Sequence, residues 1–243
     1  MKKGQAKANI YGTHAVQAAW QNPERVIDAL YITDQAMKSS DQFFKRSHLN
    51  RPKPTIIDKQ KFDALCPRGA VHQGIAIMAQ TLPEYNARDL IISGQTADKS
   101  LILMLDQVTD PHNVGAIIRS AAAFGATGIV MQSKHAPHLD GVLAKAASGG
   151  LEHIKIAHET NLSRAIEQFQ GDGYFVYGLD ERGENIQTCN PHTHAVLVLG
   201  AEGAGLRRLV GDHCDSLLRI PMTNAVASIN VSNAAAVALY SFS

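Results

Sequence analysis

The chain has 243 residues, 45% of them hydrophobic and 19% charged, with a formal net charge of +1. Such a composition belongs to a folded globular protein and excludes disordered, collagen-like and disulfide-framework classes. Cys66, Cys189 and Cys214 are scattered, with no Cys-x-x-Cys pair, which points to a reducing cytoplasm and away from a zinc motif. No apolar run is long enough to span a membrane, and no apolar stretch follows Lys2, Lys3 and Lys7, so neither a membrane segment nor a secretory leader is expected. The charge is uneven. Residues 1–82 carry 12 Lys/Arg against 6 Asp/Glu, whereas the remainder carries 11 against 16. A basic first third on a mildly acidic remainder implies contact with a polyanion, the plainer alternative being a solvated basic surface.

In chain order, Thr13 is positioned to cap a helix through about Gln21, ending at Asn22-Pro23. Ala29–Thr33 reads as a strand and residues 35–48 as an amphipathic helix. Thr55–Ile57 and Gly74–Met78 read as further strands, so residues 9–80 form a compact α/β unit. Pro83-Glu84 and Ser93-Gly94-Gln95-Thr96 break the pattern, placing a linker at 82–98 with a short helical piece near Ala87–Ile92. Three segments are therefore expected: 1–81, the linker 82–98, and 99–243.

Leu101–Leu105 is a buried strand, after which Asn113 is expected to cap a helix running to Phe124 and ended by Gly125. Strands follow at Gly128–Gln132, Ile154–Ala157 and Tyr174–Gly178, with helices near 139–147 and 161–170. Alternation of strand and helix predicts a mostly parallel sheet. Val196–Leu199 then delivers the chain into Gly200-Ala201-Glu202-Gly203-Ala204-Gly205. There the glycines allow backbone approaches that a Cβ would block. A strand at Leu217–Ile220 enters a turn at Pro221 that ends in Ser228-Ile229-Asn230, ahead of an alanine-rich helix. Two such loops with few charges, chiefly Glu202, suggest one ligand held by main chain rather than a phosphate cradle.

These motifs resemble those of the SpoU (TrmH) family of RNA ribose 2′-O-methyltransferases, of the SPOUT class. The family's Asn-x-Gly-x-x-x-Arg stands here as Asn113, Gly115 and Arg119, and its Gly-x-Glu-x-x-Gly as Gly200, Glu202 and Gly205. Its third motif stands as Ile220-Pro221-Met222 and Ser228-Ile229-Asn230-Val231-Ser232, with Ile229 in place of the commoner Leu. Ile10-Tyr11-Gly12-Thr13-His14-Ala15-Val16 and Gly69-Ala70-Val71-His72-Gln73-Gly74-Ile75 are similar to the phrases bracketing the N-terminal domain of the branch that methylates a guanosine of large-subunit (23S) ribosomal RNA.

The resemblance implies an α/β SPOUT domain with a deep trefoil knot, preceded by a small L30e-like RNA-binding domain, in a homodimeric enzyme using S-adenosylmethionine without metal. It assigns Arg119 to the 2′-oxygen. Positioning suits a guanidinium better than proton abstraction, because arginine does not deprotonate in a protein. Asn113 and Arg119, nearly two turns apart, are expected to share roughly one helix face, and Glu202 to orient one or the other. Ser228 and Asn230 are expected to cap the last helix and to lie beside the donor and the target ribose. Gly200, Gly203, Ile220, Met222 and Ile229 are expected to contact the cofactor, with a bulky residue at Gly203 crowding the loop.

Other readings are weaker. His192 and His194, and His135 and His138, have no carboxylate or cysteine at metal-ligand spacing. Asp180, Glu181 and Glu184 read as a solvated acidic turn, and Phe124, Met131 and Tyr174 as core. Gly-Ala-Glu-Gly-Ala-Gly does not fit the dinucleotide fingerprint and falls too late in the chain for one. Within the methyltransferase reading, transfer RNA is the alternative substrate. Outside it, the rival is a non-catalytic RNA-binding or ribosome-assembly protein of the same fold.

Overall fold

The computed structural model describes residues 8–45, 49–223, 225–226 and 228–243. Lys2, Lys3, Lys7 and Arg46, counted above in the basic third, and the end of the helix expected at 35–48 lie outside the described residues. The chain divides into two compact units, one of residues 1–83 with 138–152 and the other of 84–137 with 153–243.

In the first unit, β1 (Ile10–Tyr11), β2 (Ile27–Ile32), β3 (Pro54–Ile56) and β4 (Ile75–Ala79) form a mixed sheet in the order β1-β4-β2-β3. α1 (Thr13–Gln21), α2 (Asp34–Lys45) and α3 (Lys59–Leu65) accompany it. Thr13 is the first residue of α1 and not its cap. The cap position is Gly12, at φ 91°, and the Gln73 side-chain oxygen accepts the Thr13 N–H at 3.0 Å. Arg25 and Glu152 form a buried ion pair at 2.6 Å, 3% and 2% exposed, while Arg51 donates to the carbonyls of Ala19, Trp20, Asn22 and Arg25. Part of the positive charge in the first third is thus spent on structure. Lys38, Lys53, Lys59, Lys61 and Arg68 remain exposed.

The second unit opens with α4 (Ala87–Gln95), capped by a reciprocal Asn86–Asp89 box. Its Ala87, Leu90 and Ile91 are fully buried, so the stretch expected as linker contributes a helix to the core. β5 (Ser100–Leu105), α5 (Pro111–Ala123) and β6 (Gly128–Gln132) follow. The chain then contributes α6 (Gly141–Ala147) to the first unit and returns with β7 (Lys155–Glu159) and α7 (Leu162–Gly171). β8 (Phe175–Asn185), β9 (His194–Leu199), α8 (Arg208–His213), β10 (Ser216–Arg219) and α9 (Val231–Phe242) complete it.

The sheet order is β10-β8-β9-β5-β6-β7 and every pairing is parallel. Ile102, Met104, Val130, Val176, Val196 and Val198 are fully buried, as β-branched and aliphatic runs covered on both faces should be. β8 is longer than the expected 174–178. Its pairing with β10 jumps from Gly178 to Glu184, so the acidic stretch at 180–184 is part of an irregular strand rather than a free turn. Asp180 holds the Arg182 side chain there at 2.8 and 2.9 Å. His192 lies stacked on Phe175 at 4.2 Å and bonds the Tyr177 hydroxyl at 2.7 Å, and His194 reaches the Gly94 carbonyl. Among the described residues no three His, Cys, Asp or Glu side chains gather as a metal-holding group, and no helix is long and apolar enough to cross a membrane.

Candidate active site

Because all these strands run parallel, the loops that leave β5, β9 and β10 emerge at one edge of the sheet, where α/β proteins place their ligands. The loop after β5 turns at Gln107, φ 59°, and enters α5 through Asp110, whose side chain accepts the His112 N–H at 3.1 Å, with Pro111 first in the helix. Asp110, not Asn113, is therefore the cap. Asn113 lies inside the first turn with its amide free of capping duty.

That amide is oriented by Asn230, the cap of α9. The Asn230 side-chain oxygen accepts from the Ser232 N–H at 2.9 Å and the Ser232 hydroxyl at 2.5 Å. A backbone N–H can only donate, so the Asn230 oxygen faces the helix and its Nδ2 faces outward. Nδ2 donates to Asn113 Oδ1 at 3.0 Å and, more loosely, to Glu202 Oε2 at 3.4 Å. The oxygen of Asn113 is thereby occupied. Its own Nδ2 makes no hydrogen bond among the described residues, leaving an aimed, unspent donor at the sheet edge.

Of the expected site residues, the structure brings Asn113, Glu202 and Asn230 together. Glu202 reaches Asn113 through Asn230, and among the described residues it does not contact Arg119. Nor do Asn113 and Arg119 share a helix face. Six residues advance about 1.7 turns, leaving them roughly 120° apart around α5. Arg119 is exposed, in the stripe with His112 and Ala116, and makes no hydrogen bond or ion pair among the described residues. Ser228 is exposed and does not cap α9.

The glycines divide their work. A Cβ on Gly200 would lie 2.0 Å from the carbonyl carbon of Gly205, so the loop closes on its own backbone there, joined by Gly205 N–H to Ala201 O at 2.9 Å. At Gly203 a Cβ would meet nothing within 4 Å, but φ is +80°. Gly203 serves conformation rather than space, so a larger side chain would strain the backbone and not crowd the loop. Ile220 and Ile229 are half-buried and Met222 is 44% exposed. Glu202 is the only carboxylate of the 200–206 and 220–230 loops.

One pair escaped the motif reading. Asp106, directly after β5, is fully buried. Its carboxylate accepts from the Arg207 backbone N–H at 2.9 Å and from Arg207 Nε at 2.7 Å, tying the loop after β5 to the loop after β9. A charged residue abutting an apolar strand was the available signal. Nearby, burial pushes the Cys214 thiol up to about 12, with Asp215 and Asp106 adding to the shift.

Comparison with known proteins accords with this geometry. Residues 100–240 match the SpoU rRNA Methylase family and residues 9–85 match the RNA 2′-O ribose methyltransferase substrate binding family. The 23S rRNA (guanosine-2′-O-)-methyltransferase RlmB of Pasteurella multocida is 36% identical over 235 residues, 96% of each chain. The Escherichia coli K12 protein of the same name is 34% identical over 95% of this chain and 96% of its own. Among solved structures, the SpoU methyltransferase AviRb from Streptomyces viridochromogenes in complex with AdoMet superposes with a TM-score of 0.78 at 21% identity. That match covers 96% of this chain and 88% of AviRb. The chain belongs to the SpoU rRNA methylase family.

Proposed function

We propose that the protein transfers a methyl group from S-adenosylmethionine to the ribose 2′-hydroxyl of a guanosine in 23S ribosomal RNA. The observation that carries the reading is the Asn113–Asn230–Glu202 hydrogen-bonded set at the sheet edge, with an exposed Arg119, unpaired among the described residues, on the helix of Asn113. The names of the full-length relatives support the guanosine and the 23S substrate.

The cofactor supplies an activated methyl. Gly200, Gly203, Ile220, Met222 and Ile229 would hold its adenosine part, and Asn113 Nδ2 offers a fixed donor beside it. Arg119 would position the 2′-oxygen and stabilise the negative charge it gains as its proton leaves to water. Glu202 keeps Asn230, and through it Asn113, in one orientation. Ser228 lies in the loop that would flank the target ribose. Residues 1–81 act as the RNA-binding domain and 99–243 as the catalytic domain, whose core α4 of the 82–98 stretch joins. Among the described residues, Lys38, Lys53, Lys59, Lys61 and Arg68 are exposed cations available for RNA in the first segment.

The reading includes a trefoil-knotted C-terminal segment. It also includes a cytoplasmic homodimer. Ala235 and Ala238 are fully buried within the subunit, so these alanines of α9 do not form its free surface. That surface is Asn233, Val237 and Tyr240, the last 72% exposed. Mapping ribose methylation in 23S rRNA from a strain lacking the protein tests the function. One guanosine should lose its 2′-O-methyl group and regain it on complementation, and an unchanged map would overturn the reading.

A further inference from the structure

The methyltransferase chemistry leaves the buried pair beside the site without a task. Asp106 has no exposed surface, and its two oxygens are spent on the backbone N–H and Nε of one residue, Arg207. The Arg207 side chain is 38% exposed, and among the described residues its two terminal nitrogens make no hydrogen bond or ion pair. A guanidinium is a rigid planar fork, so fixing Nε fixes where both terminal nitrogens point. Its rotamer freedom is lost on folding rather than on binding, which favours capture of a ligand. The placement is specific. Asp106 heads the loop that leads into α5, the helix of Asn113 and Arg119, and Arg207 ends the loop that carries Glu202. These loops leave adjacent parallel strands, β5 and β9.

We propose that Arg207 binds a phosphate of the RNA strand that presents the target ribose, and that Asp106 is the positioning residue that aims it. The inference rests on the methyltransferase reading. Two parallel N–H groups on one edge match two phosphate oxygens, and a planar fork makes that paired contact where an ammonium offers only a point charge. The neighbouring Arg208 is 87% exposed, with only a 3.8 Å pairing to Asp212. It has no such anchor and serves as the internal control.

The test uses the full-length protein and 23S rRNA transcribed in vitro, with affinity measured across a potassium chloride series. Arg207→Gln should weaken RNA binding about tenfold and lower the salt slope by about 0.7, the loss of one phosphate contact on a single strand. KM for RNA should rise with kcat little changed and S-adenosylmethionine affinity at its wild-type value, while the melting temperature falls because Asp106 stays buried without its Nε partner. Arg207→Lys should keep the slope but not the full affinity, and Arg208→Gln should change neither. Asp106→Asn, if it folds, should keep the slope and lose affinity, since the charge remains but its aim is gone. An unchanged slope in Arg207→Gln overturns the proposal, as does a fold-loss of cofactor binding equal to that of RNA binding, which would make the pair a structural clamp. Wild-type protein that neither binds nor methylates the RNA would instead overturn the methyltransferase reading itself.

Discussion

At the scale of single residues, Gly200 and Gly203 separate two reasons for glycine that the sequence presents identically. Gly200→Ala places a methyl group against the Gly205 backbone, which has no flexible side chain to move aside. It should reshape the loop and abolish cofactor binding measured by calorimetry. Gly203→Ala meets open space and pays only for its positive φ, about 1–2 kcal/mol, so cofactor binding should weaken by no more than that. Equal effects would show that the loop closes differently from the structure. Cys214 gives a prediction for alkaline pH. Its thiol ordinarily titrates near 9.0, and burial raises it to about 12 in the folded chain. The folded state holds this proton where the unfolded state has released it, so stability present below pH 9 falls as pH rises towards 12. Burial raises Cys66 and Cys189 in the same direction. Denaturant titrations from pH 8 to 11 should show declining stability, with a shallower decline in Cys214→Ser. An identical slope in that variant would remove Cys214 from the account.

Among the elements, strands were legible wherever apolar runs were dense, as at β5, β6 and β9, because burial on both faces writes itself as unbroken hydrophobicity. α4 was less legible. Its ten-residue neighbourhood carries Ser, Gly, Gln and Thr, which read as linker, yet Ala87, Leu90 and Ile91 supply a buried face at helical spacing. The cap of α5 was misplaced by three residues because Asp110-Pro111 and Asn113 are both good helix starts. Only the hydrogen bond to His112 N–H distinguishes them. That shift matters functionally, since it frees the Asn113 side chain for Asn230. The salt link of Arg25 to Glu152 joins residues 127 apart in sequence, and no local pattern announces it. Glu152→Ala leaves the Arg25 guanidinium buried without its partner and should destabilise the chain by about 3–5 kcal/mol in chemical denaturation. A loss below 1 kcal/mol would mean that water replaces the carboxylate.

For the whole molecule, family and chemistry were readable because three spaced motifs sit on three loops that a parallel sheet brings to one edge. The finer wiring was not. Motif spacing located Asn113, Glu202 and Asn230, but which of them touch depends on side-chain orientations set by α9 capping. The exposed stripe of α9 belongs to this scale as well. Tyr240 stands 72% exposed against the half-buried Phe124, and Tyr240→Glu should convert a dimer to a monomer in light scattering at micromolar concentration. A wild-type monomer with full activity would remove the dimer and leave the chemistry intact.

The central claim is that Arg119 acts on the 2′-oxygen beside a preset Asn113–Asn230–Glu202 group. Single-turnover transfer of labelled methyl from S-adenosylmethionine to 23S rRNA tests it most directly, comparing wild type with Arg119→Ala and Arg119→Lys. The account predicts that both variants fold and bind cofactor normally yet lose about two to three orders of magnitude in rate, lysine recovering little because it lacks the planar fork. Near-normal transfer by Arg119→Ala would contradict it.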